Sequence, residues 1–205
     1  MTAKNGKLKR QERLSALLEQ NPLYTDEDLA RILKVSLSTI RLDRALLGVP
    51  ELRERTRQMA ERAVSRLRSL KQEEFIGELL GLEPNVWALS TLETTREMGF
   101  RHTNRLWDQY IYAQASTLAI AVVEADFVVV TAFRGQYREP ALVGDRLVAR
   151  AKVGVHEGNK YIVSVHTTVN DREIYVGRFI VKALSSAEDG TGTAVPQCGG
   201  ANRSC

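Results

Sequence analysis

Apolar residues recur at helical spacing through the first third of the chain and alternate with polar ones through much of the last. Leu8, Leu14, Leu17 and Leu18 predict a first helix that ends near Asn21 and Pro22. Leu29, Ala30 and Leu33 share one face of a second, from about Asp26 to Lys34, with Thr25 as its N-cap and Asp28 placed to return the bond. After a short turn around Val35, Ser36 caps a third helix that buries Ile40 and Leu47, with Leu37 at the edge. Gly48, Val49 and Pro50 close it. A fourth helix is predicted from Glu51 to about Leu70. Its stripe of Leu52, Thr56, Met59, Ala63, Leu67 and Leu70 is too narrow for it to stand alone in water.

Beyond it the pattern predicts a short helical stretch around Glu74 to Leu82, a strand from Val86 to Thr94, and a helix over roughly Asn104 to Val123. Leu106, Tyr110, Ala113, Ala115, Leu118, Ala121 and Val122 cover most of the circumference of that helix, which marks it as buried. Strand-like runs follow at Phe127 to Phe133, Arg146 to Val155, Tyr161 to Asn170 and Ile174 to Ala183, separated by turn residues such as Gly144 with Asp145 and Gly158 with Asn159. Tyr161 to Thr167 alternates apolar and polar positions, as in a sheet with one wet and one buried face. A long buried helix followed by antiparallel strands is the pattern of a sheet wrapped around a helix, the hot-dog fold. The expectation is an α+β chain. A three-helix helix-turn-helix domain covers residues 1–50, an amphipathic linker helix 51–73, a hot-dog domain 74–184, and a disordered tail 185–205.

Charge changes this picture. Residues 1–73 hold sixteen Lys/Arg against ten Asp/Glu, a balance of +6, while the remainder holds 13 against 15, or −2. The front third is therefore the polyanion-facing part. The third helix has a matching surface, because Ser38, Arg41, Leu42 and Ala45 point away from its buried side. Ser38 suits a base edge, Arg41 a guanine or phosphate, and Leu42 a thymine methyl in a major groove. Ser36, Thr39 and Arg44 lie on the same element, and Arg53 and Arg57 follow close behind. Lys9 belongs to a basic arm with Lys4, Lys7 and Arg10, placed to track phosphates or enter the minor groove. Plainer readings stand beside these: a helical hairpin in a larger domain, a solvated terminus, and a fourth helix salt-bridged through Glu51, Glu54 and Glu61. No apolar run is long enough to cross a bilayer and the N-terminus lacks a signal peptide's apolar segment, so a cytoplasmic protein without a membrane partner is expected. Cys198 and Cys205 sit in the Gly/Ser/Thr-rich tail, where neither a disulfide nor a metal site is expected.

The run VSLSTIRLDR, followed by VPELRER and then by AQASTLAIAV, GDRLVARAKV and GRF, closely resembles the FapR family of bacterial transcription repressors from about Arg10 to Leu184. The helix-turn-helix piece also resembles the DeoR class, which often has leucine at the place of Arg44. The family resemblance implies a regulator rather than an enzyme. Its hot-dog domain would sense malonyl-CoA and release operators of lipid-synthesis genes, with no cofactor. It also implies a homodimer joined through the hot-dog domains, whose two recognition helices read an inverted repeat in double-stranded DNA.

The implied effector site carries over unevenly. The family has an arginine and a glycine early in the long helix, the arginine countering the malonyl carboxylate, and an asparagine further on; those places here hold Trp107, Asp108 and Ser116. An indole cannot neutralise a carboxylate, and a like-charged pair at ~4 Å and a dielectric of ~20 costs on the order of 4 kcal/mol before screening. Arg101 or Arg105, just upstream, is the expected substitute, and Phe100 matches a family phenylalanine expected to line the pocket. Two alternatives remain open. The repressor could have changed or lost its effector, or the domain could be an acyl-CoA thioesterase with Asp108 as base, although no His partner follows Asp108 at a recognised spacing.

Overall fold

In a computed structural model, which describes residues 2–184, the chain opens with four helices: α1 (Thr2–Gln20), α2 (Asp26–Leu33), α3 (Leu37–Leu47) and α4 (Leu52–Val64). The tail expected over 185–205 lies outside the described residues. Thr25 caps α2 reciprocally: its hydroxyl accepts from the Asp28 N–H at 3.1 Å, and the Asp28 carboxylate accepts from the Thr25 N–H at 3.2 Å. Ser36 caps α3 through the Thr39 N–H at 3.2 Å, and Gly48 ends it at φ 66°, a left-handed conformation that glycine adopts without strain. Leu14, Leu18, Leu29 and Ile40 form the core these three helices share. Leu47, expected inside, is 37% exposed. It lies on the same side of α3 as Ile40 but about 10 Å further along the axis, past the end of that core.

The linker helix is shorter than its stripe. It stops at Val64, where Arg66 N–H and Leu67 N–H turn back to the carbonyls of Ala63 and Val64, three residues earlier in each case, at 3.0 and 3.1 Å. Leu67 and Leu70 then pack against the second core rather than extending α4. The helix expected around Glu74 to Leu82 is a 3-10 turn (Gln72–Glu74) followed by β1 (Glu78–Glu83). Gly77 at φ 90° separates the two, and a short apolar run such as Leu79-Leu80-Gly81-Leu82 does not reveal its period from sequence.

The remaining elements are β2 (Trp87–Glu93), α5 (Asp108–Ala121), β3 (Phe127–Tyr137), β4 (Arg146–Glu157), β5 (Lys160–Val169) and β6 (Arg172–Leu184). The strands make one antiparallel sheet in the order β1-β2-β4-β5-β6-β3, wrapped around α5 as expected of a hot-dog fold. Ile111, Ala115 and Leu118 of α5 face Leu147, Ala149, Val163, Val165 and Phe179, all closed to solvent; each larger apolar side chain contributes ~1.5–3 kcal/mol by burial. A Cβ on Gly177 would stand 2.7 Å from the Tyr175 hydroxyl and 2.6 Å from the Phe179 ring, so the aromatic layer requires glycine there. α5 begins at Asp108, later than expected. Residues 99 and 105–106 are held by bridges, Gly99 to Leu106 and Arg105 to Leu142. At one edge of the sheet β1 has α4 beside it, with Arg66 donating to the Leu82 carbonyl at 3.1 Å. At the other, β3 is exposed from Thr131 to Tyr137.

Candidate nucleic-acid interface

The outward side of α3 is a polar cluster followed by an apolar ridge. Ser36 Oγ lies 2.9 Å from Ser38 Oγ and 2.8 Å from Thr39 Oγ1, which gathers three hydroxyls at the helix start. Beyond them Leu42 is 59% and Leu46 57% exposed, with Arg41 between them and the cluster. Arg41 is exposed and, among the described residues, makes only a long ion pair, with Asp26 at 3.7 Å. Leu46 escaped the sequence reading, although its four-residue spacing from Leu42 was there to be read. Lys9 and Arg53 are also exposed.

Three cations expected or available for DNA are otherwise engaged. Arg44 is a correction: it is 5% exposed, and its guanidinium grips both Asp26 oxygens at 2.7 and 2.9 Å and donates to the Val49 carbonyl at 3.1 Å. It ties the start of α2 to the end of α3, so it holds the reading helix rather than reading. Arg57 stays at the surface, but all three of its nitrogens are bonded, to Glu54 at 2.9 and 2.6 Å and to Glu61 at 2.6 Å. The bonds from Arg57 and Gln58 push the Glu54 carboxyl down to about 2. Arg10 turns inward from the basic arm, donating at 2.6 Å to Asp43, which also accepts from Gln11 at 2.9 Å. The Arg10 bond holds the buried Asp43 carboxyl below the usual carboxylate range.

Arg55 was indistinguishable in sequence from the other arginines of α4. It is buried, and donates to the carbonyls of Pro22 at 3.2 Å, Tyr24 at 2.7 Å and Pro50 at 2.7 Å. Spacing along α4 could have placed it on the inner side; its three carbonyl partners come from loops that no periodicity describes.

Of the residues expected at the effector site, the structure brings five around one loop. The rings of Phe100 and Trp107 meet edge to face with centroids 5.7 Å apart, and Phe100 N–H donates to the Arg105 carbonyl at 2.9 Å. Arg96, which the sequence did not single out, staples the loop through the carbonyls of Thr103 at 3.0 Å and Arg101 at 3.2 Å. Arg101 and Arg105 are exposed and form no ion pair among the described residues. Asp108 is exposed in the first turn of α5, and its carbonyl accepts from the Tyr137 hydroxyl at 3.2 Å. Ser116 stands apart, half-buried and about 12 Å further along the helix axis. His156 stacks on Tyr161 and His166 bonds Glu173, so neither attends Asp108 as a catalytic partner. An open cleft of about 1070 Å³ lies elsewhere, with Thr25, Asp28 and Arg31 on one side and Glu93, Arg146 and Arg150 on the other. No helix among the described residues is long and apolar enough to cross a membrane.

No family model matches the chain. It is 41% identical to Transcription factor FapR of Thermoanaerobacter sp. (strain X514) over 184 residues, which cover 90% of this chain and 92% of that one. It is 34% identical to Transcription factor FapR of Bacillus cereus (strain B4264) over 194 residues, 93% and 98% of the two chains. Among solved structures, Cj0977, a sigma28-regulated virulence protein from Campylobacter jejuni, superposes with a TM-score of 0.58 at 24% identity over 62% of this chain and 92% of that one. PH1136 from Pyrococcus horikoshii gives 0.54 at 26%, over 58% and 92%. The structural likenesses show the hot-dog fold. The sequence likenesses run through the recognition helix and the sheet alike, and by them the chain belongs to the FapR family of transcription factors, DNA-binding regulators rather than enzymes.

Proposed function

We propose that the protein is a dimeric, cytoplasmic repressor of fatty acid and phospholipid synthesis genes that binds an inverted-repeat operator and is released by malonyl-CoA or a related acyl-CoA. The observation that carries DNA reading is the α3 surface: Ser38, Arg41, Leu42 and Leu46 are exposed while Asp43 and Arg44 on the same helix are locked inward. Exposed leucines beside a hydroxyl cluster and an exposed guanidinium suit a major groove. Division into reading, linking and sensing parts at about residues 50 and 73 belongs to the same reading.

The homodimer is favoured by the exposed β3 edge, where Phe133 is 53% exposed and packs at a tilt against Tyr112. Two such edges pairing would join the sheets, the isologous arrangement that a two-fold operator needs. The loop of Phe100, Trp107 and Asp108 reaches Tyr137 on that edge, so a second protomer paired there would stand beside the proposed effector residues. For release, the acyl-CoA must bind the DNA-free arrangement more tightly than the DNA-bound one.

A changed effector is the second reading, because an indole at Trp107 supplies no charge to a carboxylate while Arg101 and Arg105 remain available. Mobility shift on an inverted-repeat duplex from upstream of fatty-acid genes, titrated at fixed salt with malonyl-CoA, acetyl-CoA, succinyl-CoA and free CoA, separates the readings. Release by malonyl-CoA alone supports the first; release by another acyl-CoA, or by none, selects the second.

A further inference from the structure

The outward face of the sheet holds positive charge that the recognition helix does not use. Trp87, Lys152, Ser164, Arg178 and Arg134 are successive cross-strand partners over β2, β4, β5, β6 and β3. Arg150, His166, Val176 and Gln136 form the adjoining row, which ends on β2 at the buried Leu89. Lys160 and Lys182, also paired, extend the field on the other side. Their neighbours along the strands, Ala151, Val165, Gly177 and Val181, are buried against α5, so these side chains point away from the core.

Arg134, Arg150, Lys152, Lys160, Arg178 and Lys182 form no ion pair among the described residues, and they are six of the twelve Lys/Arg between residues 74 and 184. Arg138, Arg146 and Arg172 of the same sheet region each have a carboxylate, at 3.1, 2.6 and 2.9 Å. Glu173, which bonds His166 at 2.6 Å, is shared with Arg138. The stretch has thirteen Asp/Glu against those twelve cations, so the positive face arises from placement and not from composition. Like charges directly opposite on paired strands cost stability, yet Arg134 faces Arg178 and Lys160 faces Lys182. An anion laid over the face would reverse that cost.

The spacing fits a phosphate backbone. Strands lie ~4.8 Å apart, so the three steps from Lys152 to Arg134 span roughly 14 Å. One DNA strand presents a phosphate every ~3.4 Å along the axis, about four over that span. The face is also continuous with the reading domain, since Arg146 and Arg150 line the cleft opposite Arg31 of α2. We propose that this sheet face is a second duplex-DNA surface, one that grips phosphates beside the stretch read by α3 and reads no bases.

The test uses the full chain and a labelled duplex of unrelated sequence, followed by fluorescence anisotropy from about 50 to 200 mM salt. The combined variant Arg134→Gln, Arg150→Gln, Lys152→Gln, Arg178→Gln should flatten the slope of log affinity against log salt by about 3.6, at roughly 0.9 for each of four phosphate contacts, and weaken low-salt binding at least tenfold. The matching set with Lys at the three arginine positions should keep most of the slope, which separates charge from shape. Arg41→Ala with Leu42→Ala should abolish operator preference and leave the slope from the sheet face in place. A four-Gln variant that melts like the parent and retains its salt slope would overturn the proposal while leaving operator reading by α3 untouched. So would unchanged duplex binding with weakened binding of a nucleoside bisphosphate, which would give the face to a free nucleotide.

Discussion

Arg55 Nη2 lies 2.7 Å from the carbonyl oxygen of Tyr24, 31 positions earlier in the chain. Pro22 and Pro50 complete the set of acceptors, and no carboxylate among the described residues bonds this buried cation directly. Burial and the adjacent Arg44 charge pull its pKa below the usual guanidinium value, with Asp26 opposing them. The first turn of α4 is thereby fixed to the three-helix core. A swing of the reading domain relative to the sheet would have its pivot after Val64, where the helix ends in tight turns.

Replacing Arg55 with Met should cost the helical domain about 2–3 kcal/mol, since the carbonyls lose charge-assisted donors. Arg55→Lys should recover only part, because an ammonium lacks the planar fork that reaches acceptors on three sides. Urea denaturation followed by circular dichroism measures both, and an unchanged midpoint for Arg55→Met would refute the clamp.

Arg44→Ala should cost about 3 kcal/mol by stranding Asp26, with loss of operator binding following from unfolding rather than from a lost contact. A double-mutant cycle with Asp26→Asn should show strong coupling. If Arg44 touched phosphate, its removal would instead lower the salt slope at constant stability.

Leu42→Ala and Arg41→Ala should each leave the unfolding free energy within about 0.5 kcal/mol of the parent, as surface changes do. Each should weaken operator binding by about tenfold or more, the worth of one groove contact. Equal affinity in both variants would place the reading surface elsewhere.

Asp43 makes stability depend on acid. Its carboxyl is held below the usual range in the folded chain, so its contribution is complete above about pH 4, the ordinary carboxylate value, and is lost as pH falls through the depressed folded value. Between neutrality and about pH 4, Asp43→Asn should therefore be less stable than the parent by a constant amount, with the gap closing on further acidification. Thermal melts at a series of pH values read this directly, and a gap that widened in acid would be contrary to it.

Phe133→Glu should shift the protein toward monomer in sedimentation velocity and weaken operator binding together with it, if paired β3 edges make the dimer. A dimer that persists at low micromolar concentration would move the interface off this strand.

Much of this was legible in the chain. Thr25 with Asp28 and Ser36 with Thr39 are short-range devices, and the cap geometry they imply is what forms. The hot-dog pattern was readable because α5 is apolar on most sides and β5 alternates cleanly. What failed was of two kinds. β1 was misread because its short apolar run lacks a visible period, and Gly77 alone did not mark the break. The inward turn of Arg44 and Arg55 is hidden from the sequence because an arginine's residue type does not say whether its fork meets phosphate or a buried carboxylate and carbonyl. Asp26, Val49, Tyr24 and Pro50 decide that, and only the tertiary arrangement brings them near.

The free strand β3 bears on the life of the newly made chain. Among the described residues the outer side of β3 pairs with no other strand and has Phe133 and Tyr137 alongside, and until the proposed dimer forms such an edge can template aggregation with any extended segment. Arg134 on this edge, which forms no ion pair among the described residues, suits a gatekeeper that repels casual partners by charge. A cell that overproduces the protein therefore risks clumping along the strand that a correctly assembled pair would hide.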